Sequence, residues 1–492
     1  MQHPDLPEKL SGARCFLVGI KGTGMAALAE VLQSRGARVS GSDIEEVFYT
    51  DAILRHAHIP YHEGFAAENL PTDTECVIYS AAYDPHTHPE LVAARERGLP
   101  VVPYNVALGA ISRRQPSAAI AGVHGKTTTT ALVASIVERL RLPWSVLAGS
   151  ALGVRGERST LLQGDELFIA ETCEYRRHFL AFSPEVLVIT SVEADHLDYF
   201  EDEADVMAAF LEFAGSLPDG GTLIFCRDDE GARAVASRVA SERRDLRLMS
   251  YGMHPESDVR VTLAEHPAGS QSFLLGTQRY TLHVPGDHNV LNATAAILVV
   301  EELARRHGTP REPGAVGAAT ERYPAVQAAI GSFHGTRRRS EVIGGAAGVL
   351  VLDDYAHHPT AIRSTLSGFR TFYPGRRLVL SFMSHTYSRT LALLDEFAEA
   401  LTLADVVILH DIYASAREEN PGSVDGTVLA DAARKRIGRG NLGAVHYVAE
   451  PEDALSLLSS LLESGDLFVT MGAGNNWRLG VAWLEATSGD ES

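Results

Sequence analysis

The sequence predicts an α/β protein of three domains, each built on a mostly parallel sheet with helices packed on it. Three observations carry that expectation. At 492 residues the chain can form about three domains of roughly 150 residues, each large enough to bury its own core. Two glycine-rich loops, Gly22 to Gly24 and Gly122 to Lys126, each join a short apolar strand to a helical run. Further along, polar clusters repeatedly follow short apolar strands, which is where a doubly wound sheet gathers its ligand residues.

Bulk composition narrows the function. A formal charge of −20, with no basic run or aromatic–basic repeat, excludes general nucleic-acid binding. Anionic ligands must then be held by local sites. Only four of the 43 basic residues are lysines, a usage consistent with either genome composition or heat resistance. Cys15, Cys76, Cys173 and Cys226 have neither paired nor zinc-ligand spacing, so a reducing cytoplasm is expected. Met1 to Ser11 lacks an apolar signal region, and no run of about 18 apolar residues occurs, so a soluble protein without membrane insertion is expected.

The first domain opens with a strand at Cys15 to Ile20 and a helix through Leu28, Val31 and Leu32. Between them, Gly22-Thr23-Gly24-x-x-Ala27 fits a dinucleotide fingerprint. Asp43 follows a second strand near Val39, at the spacing of a ribose-binding acid. These residues suit the diphosphate of either NAD or a sugar nucleotide. A strand from Cys76 to Ser80 and a short one at Val101-Val102 complete the unit, which ends near Ser112 with Arg113 to Pro116 as the linker.

The second domain begins with Ala118 to Ala121 and the loop Gly122-Val123-His124-Gly125-Lys126-Thr127-Thr128. Glycines and a helix N-terminus free backbone N–H groups to face phosphate, Lys126 adds positive charge, and the Thr127 hydroxyl can hold magnesium. The loop is two residues shorter than the common phosphate-loop pattern, because Ile120 stands where the first glycine would be. Strands at Leu167 to Glu171, Val186 to Ser191 and Thr222 to Cys226, separated by helical stretches, place Glu171 and the Glu193-Ala194-Asp195-His196 cluster at the same sheet edge as Lys126. A carboxylate and an imidazole there suit magnesium in one or two positions. His288, Asn289 and Asn292 start a long apolar helix, and such a pattern on its own is more often a helix cap than a site.

In the third domain, Arg337-Arg338-Arg339 precedes a strand at Val349 to Asp353 that runs into Asp354-Tyr355-Ala356-His357-His358-Pro359. The strand Leu378 to Phe382 leads to Ser384-His385-Thr386-Tyr387-Ser388-Arg389, and later strands cover Asp405 to Leu409 and Leu467 to Met471. Each polar cluster again follows a strand.

Together, V-G-I-K-G-T-G-M-A, G-V-H-G-K-T-T-T, the segment Ala170 to Leu180, E-A-D-H, H-N-x-x-N, D-D-Y-A-H-H-P-T and S-H-T-Y-S-R-T resemble the Mur ligases of bacterial cell-wall synthesis over nearly the whole chain. That resemblance implies a Rossmann-like N-terminal domain over residues 1–113 that binds the UDP-sugar. It implies a central P-loop ATPase-like domain over 114–318 and a C-terminal Rossmann-like α/β domain over 319–492 that binds the amino acid. Gly22, Thr23, Gly24, Asp43, Ser80 and His124 would contact the UDP-sugar. ATP would lie on Gly122, Val123, His124, Gly125, Lys126, Thr127 and Thr128, with His288, Asn289 and Asn292 at adenine, Asp354 at ribose and Arg338 at the phosphates. Thr127 and Glu171 would hold one magnesium ion and His196 another. Tyr355, His357, His385 and Arg389 would surround the amino acid, the arginine pairing with its carboxylate. Arg176 and Arg177 are candidates for the anionic sugar nucleotide. Sister ligases use a carbamylated lysine near the metal, yet no lysine lies between Lys126 and Lys435. Lys21, Ser340 and Ser384 depart from the family's glycine, aromatic and proline.

The resemblance further implies ATP-driven joining of L-alanine to the carboxylate of UDP-N-acetylmuramate through an acyl phosphate, with His357 or His385 taking the amine proton. A recycling member that adds a preformed tripeptide is the alternative within the family; Ser384 to Thr390 and Met471 to Gly474 favour the alanine-adding type. A nicotinamide dehydrogenase explains the first loop alone. Intact Lys126, Glu171 and His196 argue against a catalytically silent sugar-nucleotide sensor.

Overall fold

Strands β1 (Arg14–Val18), β2 (Arg38–Asp43), β3 (Tyr61–Glu63), β4 (Cys76–Tyr79) and β5 (Val101–Pro103) pair in parallel, in the order β3-β2-β1-β4-β5. This is the strand order of a doubly wound nucleotide-binding sheet up to its fifth strand, with the order reversing between β1 and β4. Polar β3 is an addition to the expected strands, since a three-residue edge strand carries too little apolar pattern to be read. The computed structural model describes residues 5–152, 158–196, 199–265, 267–308, 319–414 and 424–489. The boundary expected at 318 lies outside the described residues.

The central sheet has ten strands. Its parallel heart is β6 (Ser117–Ala121), β9 (Leu167–Glu171), β10 (Val186–Ile189) and β11 (Thr222–Cys226), flanked by β7 (Trp144–Leu147), β8 (Thr160–Leu162) and β12 (Arg247–Gly252). The expected strands β9, β10 and β11 are separated by helical stretches, and antiparallel strands extend the sheet at both margins. β8 runs antiparallel to β7, and β13 (Val259–Leu263), β14 (Gln271–Leu275) and β15 (Gln278–Leu282) form an antiparallel meander. β6 lies between β10 and β9, so the loop after β6 opens into the crevice between two strand ends.

The third sheet has the order β16-β17-β21-β18-β19-β20, from β16 (Glu341–Ala346), β17 (Val349–Asp354), β18 (Leu378–Met383), β19 (Val406–Leu409), β20 (Ala444–Tyr447) and β21 (Leu467–Gly472). Only β16 is antiparallel.

One apolar core runs without interruption from Leu17 and Leu28 of the first domain to Phe168, Phe210 and Phe213 of the second. The third domain buries separate clusters on its two faces, around Phe369 and Phe382 and around Phe468 and Trp483. The first two domains therefore form one packed body, which Val326, Ala329 and Ile330 of the helix Ala319–Gly331 and Phe333 also join, while the rest of the third domain brings its own core.

Candidate active site

The phosphate loop is made by its glycines. Gly122 has φ +138° and Gly125 φ +80°, and a Cβ on Gly125 would lie 2.3 Å from Asn292 Oδ1, so only glycine fits this turn. The helix Lys126–Leu140 starts directly after it, which presents the positive end of its dipole to the crevice.

Lys126 Nζ is held at 3.0 Å by Glu174 Oε2 and at 3.3 Å by the Val123 carbonyl, and also donates to the Gly122 carbonyl. Burial opposes its charge, but Glu174 outweighs that and raises its pKa. Burial likewise opposes the Glu174 carboxylate, which Lys126 and His196 pull below its usual range. His196 Nε2 lies 3.3 Å from Glu174 Oε1. The Thr127 hydroxyl donates to Glu171 Oε1 at 2.9 Å, and Gly149 N to Glu171 Oε2 at 2.6 Å. Glu174, the joint of this cluster, is not among the residues expected from sequence; its signal there is an acid three residues after Glu171 at a strand end.

A second group adjoins the first through the Asp195–His196 pair. Arg389 Nε donates to Asp195 Oδ1 at 3.1 Å and its Nη1 contacts His385 Nδ1 at 3.2 Å, all buried. Burial alone would raise the Asp195 pKa, but Arg389, then His196 and His357, hold it well below the usual carboxylate range. The rings of His357 and His385 are 5.6 Å apart, and those of Tyr355 and His357 5.0 Å. His357 Nδ1 donates to the Tyr355 carbonyl at 2.8 Å, which leaves Nε2 as the acceptor nitrogen. Burial, reinforced by Arg389, pushes the His357 pKa well below its ordinary value, so the ring is neutral at pH 7.

Beside the loop, between the second and third domains, lies a cavity of about 260 Å³. His124, Gly125, Thr128, His288, Asn289, Asn292 and Asp354 are among its lining. Asn292 Nδ2 donates to Asn289 Oδ1 at 3.1 Å, and Asn289 Nδ2 to the Pro285 carbonyl at 2.7 Å, which orders both amides. Burial lowers the His288 pKa to about 4.

The arginine triplet divides differently from expectation. Arg338 is turned into the third domain, donating to Asp353 at 3.0 Å and to the Gly472 and Gly474 carbonyls at 2.9 and 3.1 Å. Its neighbour Arg339 lines the cavity instead, with Ser340, whose N–H donates to Asp354 Oδ2 at 2.7 Å. Arg176 and Arg177 also lie apart from the loop cluster: Arg177 pairs with Asp205 at 2.7 Å and Glu212 at 2.9 Å, and Arg176 stacks on Tyr175.

In the first domain, Gly22 caps the helix Thr23–Ser34, and the Thr23 hydroxyl accepts from Tyr49 at 2.9 Å. A Cβ on Gly24 would meet the Tyr104 hydroxyl at 2.8 Å, and Ser80 N–H continues the β1 pairing by donating to Val18 at 3.1 Å. Asp43 is buried and serves the loop itself, accepting from Lys21 N at 2.5 Å and Ile44 N at 2.8 Å. The Lys21 side chain is fully buried, held by Glu63 at 2.9 Å, Asp51 at 3.3 Å and the carbonyls of Ile44 and Glu46 at 3.0 and 3.1 Å. An ammonium bridging four acceptors thus replaces glycine flexibility at this turn.

Residues 16–116 match the Mur ligase family catalytic domain, 120–300 the Mur ligase middle domain, and 338–474 the Mur ligase glutamate ligase domain. The chain belongs to the Mur ligase family, whose members are ATP-dependent amide-bond-forming ligases. Its relatives include the UDP-N-acetylmuramate–L-alanine ligase of Treponema pallidum, 47% identical over 98% of both chains. That of Desulfitobacterium hafniense is 40% identical over 94% of this chain and 97% of its own. The crystal structure of the UDP-N-acetylmuramate-alanine ligase of Thermotoga maritima superposes with a TM-score of 0.75 at 26% identity, covering 97% of this chain and 99% of that one. A murein peptide ligase of Psychrobacter arcticus, 22% identical with a TM-score of 0.65 over 97% of this chain and 99% of its own, shares the fold. Among the described residues, no helix is long and apolar enough to cross a membrane.

Proposed function

We propose that this chain joins L-alanine to the carboxylate of UDP-N-acetylmuramate at the expense of ATP, in the cytoplasm. The observation that carries the reading is the contiguity of two groups: Lys126, Glu174 and His196 on one side, and Asp195, Arg389, His385 and His357 on the other, joined by adjacent residues of one loop.

Chemistry demands such an arrangement. A carboxylate does not condense with an amine unless its oxygen is made a leaving group. Lys126, at the N-terminus of its helix, offers charge where a terminal phosphoryl is transferred to the sugar carboxylate. ATP would occupy the cavity lined by His288, Asn289 and Asn292, with Asp354 near the ribose and Arg339 placed to take the phosphate role expected of Arg338. Thr127 and Glu171, a hydroxyl and a carboxylate already in contact, suit one magnesium ion and His196 a second, and such ions spread phosphate charge when bound. Gly22, Thr23, Gly24 and Ser80 would bind the UDP-sugar, with Asp43 acting by shaping their loop. Arg389 would pair with the alanine carboxylate, beside Tyr355.

The tautomers separate the two histidines. His385 Nδ1 accepts from Arg389, whereas His357 keeps Nε2 unprotonated and its ring neutral, so His357 would take the amine proton. Asp195 then balances the imidazolium. Holding the acyl phosphate and amine in line is worth up to about 7–11 kcal/mol.

The test is product formation. ATP, UDP-N-acetylmuramate and L-alanine with the full chain should yield the alanyl amide by mass spectrometry; its absence with all three present would contradict the reading.

A further inference from the structure

At the edge of the nucleotide cavity, His124, Glu193 and His358 bring two imidazoles and a carboxylate together, a grouping to which the ligation chemistry gives no metal role. One ligand atom from each lies within 4.8 Å of the others. They come from separate elements: the phosphate loop, the loop after β10, and the residue capping the helix Pro359–Phe372. The two imidazole rings are 5.4 Å apart, His358 Nδ1 lies 3.6 Å from Glu193 Oε1, and His124 Nε2 abuts that same oxygen.

One carboxylate oxygen thus serves two imidazoles, and only part of their donor capacity is used. His124 Nε2 and Glu193 Oε1 face each other as an ion pair, whereas the buried His358 Nε2 has no hydrogen-bond partner and His358 Nδ1 accepts from the Thr360 N–H. The second carboxylate oxygen is oriented, because the Thr360 hydroxyl donates to Glu193 Oε2 at 3.0 Å. Side chains that bind metals are commonly braced in this way.

We propose that His124, Glu193 and His358 bind a divalent transition-metal ion of the zinc class, which clamps the third domain onto the phosphate loop. Two imidazoles and one carboxylate are the donor set of tetrahedral zinc with one position open, whereas magnesium prefers oxygen donors. The site is separate from Thr127, Glu171 and His196. Because His124 and Glu193 also line the nucleotide cavity, the ion would sit where domain closure and nucleotide entry meet.

Cobalt(II) reports on it directly. The full chain, stripped with chelator and free of nucleotide, should take up Co2+ with the strong visible absorption of a four-coordinate N/O site. His358→Asn keeps a good helix cap while removing the imidazole, and should weaken that uptake at least about 10-fold. His124→Gln should do the same, while Glu171→Gln keeps the band. Thermal unfolding of each variant confirms that it is folded. No visible band in the native chain, or an unchanged titration in folded His358→Asn and His124→Gln, would overturn the proposal.

Discussion

Lys126 is buried with an acid for a partner, so its removal acts on stability and activity by different routes. Lys126→Ala should cut phosphate release at least about 100-fold, and it also leaves Glu174 without its nearest cation, at a cost of about 3 kcal/mol. Adding Glu174→Gln should restore most of the lost thermal stability and none of the activity; normal turnover in Lys126→Ala would remove the lysine from the reaction. Arg389 behaves differently, since Asp195 already faces it. Arg389→Ala should raise the KM for alanine far more than that for ATP, and an equal effect on both would end its pairing with the amino acid.

At the level of elements, the phosphate loop depends on a turn that only glycine makes. Gly125→Ala puts a methyl into Asn292 and strains a φ of +80°, so nucleotide affinity should fall at least about 10-fold by titration with the fold retained. β18 and β19 carry a second testable feature. Buried His410 donates from Nδ1 to the Val448 carbonyl (2.8 Å) and meets the Ser381 hydroxyl through Nε2 (2.7 Å), and burial lowers its pKa to about 4. With a folded pKa below the unfolded value near 6.5, the unfolded chain alone takes the proton as pH falls through that window. Stability is therefore full above pH 6.5 and about 2 kcal/mol lower at pH 5 from this group. The melting temperature of His410→Gln should drop less between pH 7.5 and 5 than that of the native chain; an equal drop would contradict the assignment. The elements legible from sequence were short, mostly buried apolar runs, among them β1, β4, β6, β9, β10, β11, β17, β18, β19 and β21, and with them came the loop, Glu171 and His196, whereas β7, four buried residues close behind a helix, did not stand out. β3, β13 and β16 alternate or expose their residues and gave no such run. No pattern told Arg338 from Arg339 either, because left-handed turns at Arg338 (φ 59°) and Ser340 (φ 50°) decide which guanidinium meets the cavity.

Across the whole molecule, the continuous core of the first two domains gives a fixed platform, while the part of the third beyond Phe333 reaches it through polar ties such as Arg389–Asp195 and Thr360–Glu193. Polar ties of this kind can be exchanged for ligand contacts, which suits a domain that closes on its substrates. Spatial neighbours such as Asp195 and Arg389, 194 residues apart, are set by that docking and by no local pattern. The most direct measurement is ATP-dependent phosphate release with UDP-N-acetylmuramate, screened against free amino acids and the tripeptide. The account predicts release that requires the sugar nucleotide and is fastest with L-alanine; release driven by the tripeptide alone, or none with any amine, would contradict it.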